Sequence, residues 1–143
     1  MTVINKSYCQ FPSDLEGLSD VLSWFDQLNQ PRIPHLVWLQ CQLALAECFT
    51  NCVRHAHKDL PINTLVDIEV AILLDTLEIR IWDQGQPFDL VAKINQLSQS
   101  HGTNDSEEGG RGLMIISEVA DKLSYERTTN GRNCFLFVKK FNP

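Results

Sequence analysis

The stretch Val66-Asp67-Ile68-Glu69-Val70-Ala71-Ile72-Leu73-Leu74-Asp75-Thr76-Leu77-Glu78-Ile79-Arg80-Ile81-Trp82-Asp83 decides the fold. Val66, Ile68, Val70 and Ile72 alternate with Asp67, Glu69 and Ala71. Leu77, Ile79 and Ile81 alternate with Glu78, Arg80 and Trp82. A period of two belongs to a β-strand that buries one face. Two such strands joined through Leu74-Asp75-Thr76 make a hairpin with one wet face.

Downstream the chain is polar and carries glycines from Asp83 to Gly112. Its middle, residues 99–108, has almost nothing to bury, and so long a structureless stretch in a compact domain is usually functional. Leu113, Ile116, Val119 or Ala120, and Leu123 have helical spacing. Leu123–Thr128 and Cys134–Lys140 read as a closing hairpin around Asn130-Gly131, a type I′ turn signal.

Upstream, the spacing predicts a buried helix from His35 to His57, apolar at Leu36, Leu39, Leu43, Ala46, Phe49 and Val53. Gln30-Pro31-Arg32-Ile33-Pro34 separates it from an amphipathic helix with Leu15, Leu18, Leu22, Phe25 and Leu28 on one side. Ser13-Asp14-Leu15-Glu16 reads as a capping box, with Ser13 as N-cap. The first ten residues form a strand whose apolar members, with Phe11, are Val3, Ile4 and Tyr8. The order strand, helix, helix, strand, strand, loop, helix, strand, strand predicts an α/β (α+β) two-layer sandwich, a mixed sheet with helices on one face.

At 143 residues and 16.3 kDa the chain is expected to form a single domain over 1–143 with its own core. The net charge of −6 repels phosphate backbones and argues against nucleic acid as a partner. No apolar run approaches the ~20 residues of a membrane span, and the N-terminus lacks a signal-peptide pattern, so a cytoplasmic location is expected. The five cysteines, 9, 41, 48, 52 and 134, are odd in number and without C-x-x-C spacing, which indicates neither a disulfide framework nor a zinc site. Cys48 and Cys52 read as small buried hydrophobes.

Three groups of residues carry chemistry. Glu47, Asn51 and His55 lie at four-residue steps on one helix face. Such a row is either a solvated stripe or a site where an amide oxygen meets a hard cation such as Mg²⁺ beside a carboxylate base. Asp83-Gln84-Gly85-Gln86-Pro87-Phe88-Asp89 follows a strand directly. It is either a common turn or a carboxylate aimed at a ligand amine, with glycine allowing close approach. Glu108-Gly109-Gly110-Arg111-Gly112-Leu113 opens a helix. It is either a flexible hinge or a phosphate cradle of backbone N–H groups, helix N-terminus and Arg111. It is neither a Walker A loop nor a dinucleotide fingerprint. In this order the three groups supply a divalent cation, an acceptor for a purine amine and a phosphate nest.

Glu47-x3-Asn51-x3-His55-Ala56 resembles the N-box of the GHKL (Bergerat-fold) ATPase superfamily, Asp83-x-Gly85-x-Pro87-Phe88-Asp89 its G1 box, and Gly109-Gly110-Arg111-Gly112-Leu113 its G2 box. The resemblance runs from about Phe11 to Phe141 and is greatest to the anti-sigma-factor serine kinases that partner STAS-domain anti-anti-sigma proteins. It implies a Bergerat fold that binds ATP with Mg²⁺. Asn51 would be the metal ligand, Glu47 the base that activates a partner hydroxyl, and Asp83 the acceptor for the adenine amine. Gly85 would give the ring room, Gly110, Arg111 and Gly112 would line the phosphates, and residues 90–108 would form a lid. Pro87 stands where many relatives carry a second glycine, which stiffens the turn. Arg132-Asn133 replaces a threonine that relatives often place near adenine, so support of Asp83 passes to Asn133 or to water. His55 fits the motif as a packed helix histidine, while His35, His57 and His101 carry no signal.

The function implied is an ATP-dependent protein serine/threonine kinase that acts as an anti-sigma factor in transcription regulation. Its partners would be a STAS-domain protein and a sigma factor, with no nucleic acid and no membrane, and a homodimer as relatives often form. The alternative is a non-catalytic module that senses ATP against ADP and sequesters a sigma factor or other regulator. A domain that keeps the fold and has lost the site is disfavoured by Asn51, Asp83 and Gly112. The 143 residues contain no helical dimerisation and phosphoacceptor segment, so a complete sensor histidine kinase is not expected.

Overall fold

A computed structural model describes residues 3–86, 92–93, 95–96 and 110–142. Strand β1 (Val3–Pro12) leads through a 3₁₀ turn (Leu15–Gly17) into α1 (Leu18–Asp26). Helix α2 (His35–Asn51) continues into a π-helical turn (Cys52–Ala56). Then come β2 (Leu65–Leu73), β3 (Thr76–Asp83), α3 (Gly110–Val119), β4 (Lys122–Arg127) and β5 (Asn133–Lys140).

The expected two layers are present: helices cover one face of a five-stranded sheet in the order β1-β2-β3-β5-β4. The sheet is antiparallel at every described pairing, not mixed. β3 and β4 do run parallel to each other, but β5 inserts between them and pairs antiparallel with both. Strand direction follows from the connections, whereas which strand becomes the neighbour is a long-range choice.

Val66, Ile68, Val70 and Ile72 of β2 pack with Leu77, Ile79 and Ile81 of β3 and with Phe135 and Phe137 of β5. Phe25 of α1 stacks on Trp38 of α2 at 4.1 Å between ring centroids, and the Trp38 indole donates to Asp26 Oδ1 at 3.1 Å. The opposite face is more polar but only partly exposed: Asp67 and Ala71 of β2 and Val138 of β5 are buried there. There Lys6, Glu69, Arg80 and Glu78 form a chain of ion pairs, and Arg132 pairs with Asp67 over the ring of Trp82.

Four local expectations change. Asp14, not Ser13, caps the first helical turn, its Oδ1 accepting from the Glu16 amide at 3.0 Å. Ser13 stays with the strand, donating its amide to Thr64 O at 2.8 Å, and its buried hydroxyl bonds elsewhere. Helix α1 stops at Asp26, before Leu28, and Leu123 belongs to β4 instead of the third helix. The closing hairpin has a three-residue loop, not a two-residue type I′ turn: Thr128 N–H donates to Arg132 O at 2.7 Å, and Gly131 alone among described glycines has positive φ, at 81°.

Helix and π turn together run 22 residues, His35–Ala56, long and apolar enough to cross a bilayer by length and composition. No single apolar run in the sequence showed this, because Glu47, Asn51 and the terminal histidines interrupt it. In the fold it is the central core helix, burying Trp38, Leu45 and Phe49.

Candidate nucleotide site

β3 ends on Asp83, which lies directly across from Asn133 of β5, and Asn133 from Arg127 of β4. This register puts three polar side chains in a row at the sheet's end. Asp83 and Asn133 are only 4 % and 1 % exposed, so their polar atoms need partners. Asp83 Oδ1 accepts from Gly85 N–H at 3.0 Å and from Asn133 Nδ2 at 2.8 Å, and Oδ2 accepts from the Tyr125 hydroxyl at 2.9 Å. Asn133 Nδ2 also donates to Gly85 O at 3.1 Å, while its Oδ1 accepts from Arg127 at 3.2 Å. The carboxylate is thereby oriented as an acceptor at the edge of the cleft.

Across from it stands α2. The buried Asn51 donates Nδ2 to Glu47 O at 2.8 Å, one turn back, which leaves Oδ1 as the atom it can offer a cation. Burial raises the Glu47 carboxyl above the usual carboxylate range, and Arg54 opposes this in part. Asn51, Cys48, Cys52 and Ala56 line one cleft together with Ile81, Asp83, Tyr125 and Phe135. Burial likewise drives the Cys48 and Cys52 thiols well above their ordinary values, so both behave as apolar wall. The cleft has about 20 Å³ of water-accessible space, enough for a single water, so a purine base would have to widen it.

Two glycines mark where the elements meet. A Cβ on Gly112, in the first turn of α3, would come within 2.2 Å of Glu47 Cδ and Oε1. Gly112 therefore lets α3 begin directly over the Glu47 carboxylate. A Cβ on Gly85 would lie 1.8 Å from Ala56 O. The missing side chain at Gly85 thus admits the end of the helix.

The row Glu47, Asn51, His55 breaks at the π turn. There His57 N–H bonds back to Cys52 O at 2.9 Å, five residues earlier, and the wider turn rotates the following side chains. His55 consequently faces solvent near Lys93, with Nε2 3.5 Å from Nζ. Burial lowers the pKa of His55, helped by Lys93, Arg54 and Lys58. His57, which carried no signal in the sequence, turns inward and is buried instead.

Sequence reasoning also missed Tyr125. Its only available signal was position: two residues before Arg127 on β4, it shares a face with the Asp83 row. Glu47, Asn51, Asp83, Gly85, Gly112 and Asn133 come together at one end of the sheet. Gly110 begins α3, while the side chain of Arg111, the motif residues Pro87, Phe88, Asp89 and Gly109, the lid at 90–108 apart from short helical pieces, and His101 lie outside the described residues.

Among the described residues no group of three or more His, Cys, Asp or Glu is arranged to hold a metal by itself. One amide oxygen fits Mg²⁺ only where phosphates and water complete the shell, which is how that ion is commonly held.

The profile of the histidine kinase-like ATPase domain matches residues 11–139. The serine-protein kinase RsbW of Bacillus licheniformis is 33% identical over 85 residues, covering 57% of this chain and 53% of that protein. The serine-protein kinase RsbW of Bacillus subtilis is 33% identical over 85 residues, covering 57% and 52%. That of Staphylococcus aureus is 31% identical over 86 residues, covering 58% and 54%. The chain thus spans about half the length of the curated relatives it matches. With the domain profile extending from the end of β1 through β5 and over most of the chain, the chain belongs to the histidine kinase-like ATPase domain family.

Proposed function

We propose that these 143 residues form a single ATP-binding domain that phosphorylates a serine or threonine on a STAS-domain anti-anti-sigma partner and acts as an anti-sigma factor. The observation that carries this reading is the shared cleft: Asn51 of α2 and Asp83 of β3 line it together. Glu47 stands one turn from Asn51, against the start of α3. The three serine-protein kinase relatives support the same reaction class.

In this reading the Asp83 carboxylate accepts from the adenine amine, and Asn133 and Gly85 hold it in place. Asn51 Oδ1 would hold Mg²⁺, and Gly110, Arg111 and Gly112 would meet the phosphates at the first turn of α3. Bound magnesium supplies charge neutralisation on the transferring phosphoryl group. Glu47 receives the proton of the partner's hydroxyl on a carboxylate oxygen, and its raised pKa brings it nearer the working pH of a base.

The test is calorimetry with ATP and ADP, with and without Mg²⁺, followed by incubation with labelled ATP and a STAS-domain protein. Binding with transfer is expected. Binding without transfer points to the nucleotide-sensing module; no binding overturns both readings.

A further inference from the structure

We propose that His57 is a positioning residue for the nucleotide turn: as a neutral ring it holds the Gln84 amide, and with it Asp83 and Gly85, against the end of the central helix, and protonation releases them. The proposal rests on reading Asp83 as the nucleotide acceptor. His57 is 2 % exposed and bridges two distant parts of the chain. Gln84 N–H donates to its Nε2 at 2.8 Å. A neutral imidazole that accepts at Nε2 carries its hydrogen on Nδ1. Nδ1–H therefore donates to the Ser13 hydroxyl at 3.0 Å, at the end of β1. Gln84 is the residue between Asp83 and Gly85, so its amide lies in the peptide that sets the direction of the acceptor carboxylate. The same turn is tied on its other side, where the Gln84 side chain donates to Leu65 O at 3.0 Å, and it rests on Ala56 O, the carbonyl just before His57.

An imidazolium has two N–H donors and no acceptor, so it cannot keep the bond from Gln84. Donor would then face donor in a buried place. Asp83, from β3, is the charged group acting on the ring and favours the imidazolium; Ser13 and Gln84, from β1 and the turn, are neutral. Lys58 and Asp59, next along the chain, are exposed. Burial outweighs Asp83 and keeps the ring neutral to a lower pH than the ordinary 6.5.

ADP binding to the full chain is measured by calorimetry from pH 7.5 to 5 for the wild type, His57→Gln and His57→Phe. The titration of the ADP phosphates is common to all three and cancels in their ratios. Wild-type affinity is expected to fall, relative to His57→Gln, by up to about tenfold per pH unit below the ring's own value. His57→Gln offers an amide oxygen to Gln84 at every pH, so it keeps affinity within about threefold at pH 7.5 and lacks this fall. His57→Phe loses about 5- to 100-fold at pH 7.5, because the Gln84 amide is left without an acceptor. If Phe matches the wild type in affinity and pH profile, or Gln shows the same acid loss as the wild type, the proposal is overturned. Long-range proton–nitrogen spectra supply an independent readout: Nε2 must be unprotonated in the folded chain at pH 7.5, and a proton there overturns the latch. A wild type that takes up no ADP at any pH overturns the nucleotide reading instead, and those spectra still decide whether the latch exists.

Discussion

Gly112 and Glu47 occupy the same corner: the Cβ that Gly112 lacks would sit 2.2 Å from the Glu47 carboxyl carbon. Gly85 and Ala56 have the same relationship at 1.8 Å, but there the obstacle is a backbone carbonyl. A flexible carboxylate can swing aside, and a helix backbone cannot. The two glycines therefore respond differently to the same substitution.

Gly112→Ala is expected to fold with stability within about 1 kcal/mol of the wild type, since alanine favours the helix by about that much over glycine. Displacing the Glu47 carboxylate is expected to lower phosphoryl transfer at least tenfold. Thermal melting and a labelled-ATP assay check the two halves.

Gly85→Ala forces a methyl into the Ala56 carbonyl. Overpacking of this kind costs about 1–3 kcal/mol, and the turn carrying Asp83 must shift. Urea unfolding is expected to show the loss, and ADP affinity is expected to fall with it.

Asp83→Asn replaces an acceptor held by three donors, from Gly85, Asn133 and Tyr125. The NH₂ group fits the Oδ2 place only by turning the Tyr125 hydroxyl from donor to acceptor, and the charge that strengthened all three bonds is lost. A stability loss of about 1–3 kcal/mol is expected, together with loss of measurable ADP binding. Tyr125→Phe removes one donor only and is expected to cost about 1–3 kcal/mol while binding persists. Equal binding loss in both variants would make Tyr125 as central as Asp83.

Glu47→Gln is expected to cut transfer by about 10²- to 10⁴-fold with ADP affinity retained. The pH dependence has a definite sign. Because burial raises the Glu47 pKa in the folded state, the carboxyl favours folding fully below its unfolded value and loses that contribution as pH rises through the raised one. Glu47→Gln is therefore expected to melt no lower than the wild type at pH 8, and transfer by the wild type is expected to fall on acidification through the raised value. A lower melting temperature for the glutamine variant at pH 8 would contradict this.

Asn51→Ala removes the amide oxygen assigned to the cation and is expected to abolish the Mg²⁺-dependent part of ADP affinity. Calorimetry with and without Mg²⁺ reads this directly, and an unchanged Mg²⁺ effect would take Asn51 out of the site.

Periodicity was enough to place the main elements, but at 35–53 it named the wrong side of the helix: Leu36 and Leu39 are exposed, while Trp38, Cys41, Leu45 and Cys48 are buried. It marked Glu47, Asn51 and Asp83 as polar groups in need of partners, and the resemblance gave them their roles. What periodicity cannot specify is which distant groups become those partners. β5 chose the gap between β3 and β4, and that choice made the sheet antiparallel and brought Asn133 and Tyr125 onto Asp83. A π turn of five residues moved the inward position from His55 to His57, a shift invisible to a count in steps of four. Ser13 then gave its hydroxyl to that ring, leaving the cap to Asp14. Local spacing along a chain records which elements form; the dry side of the central helix, and hydrogen bonds across 44 or 50 residues, exist only once the layers have closed.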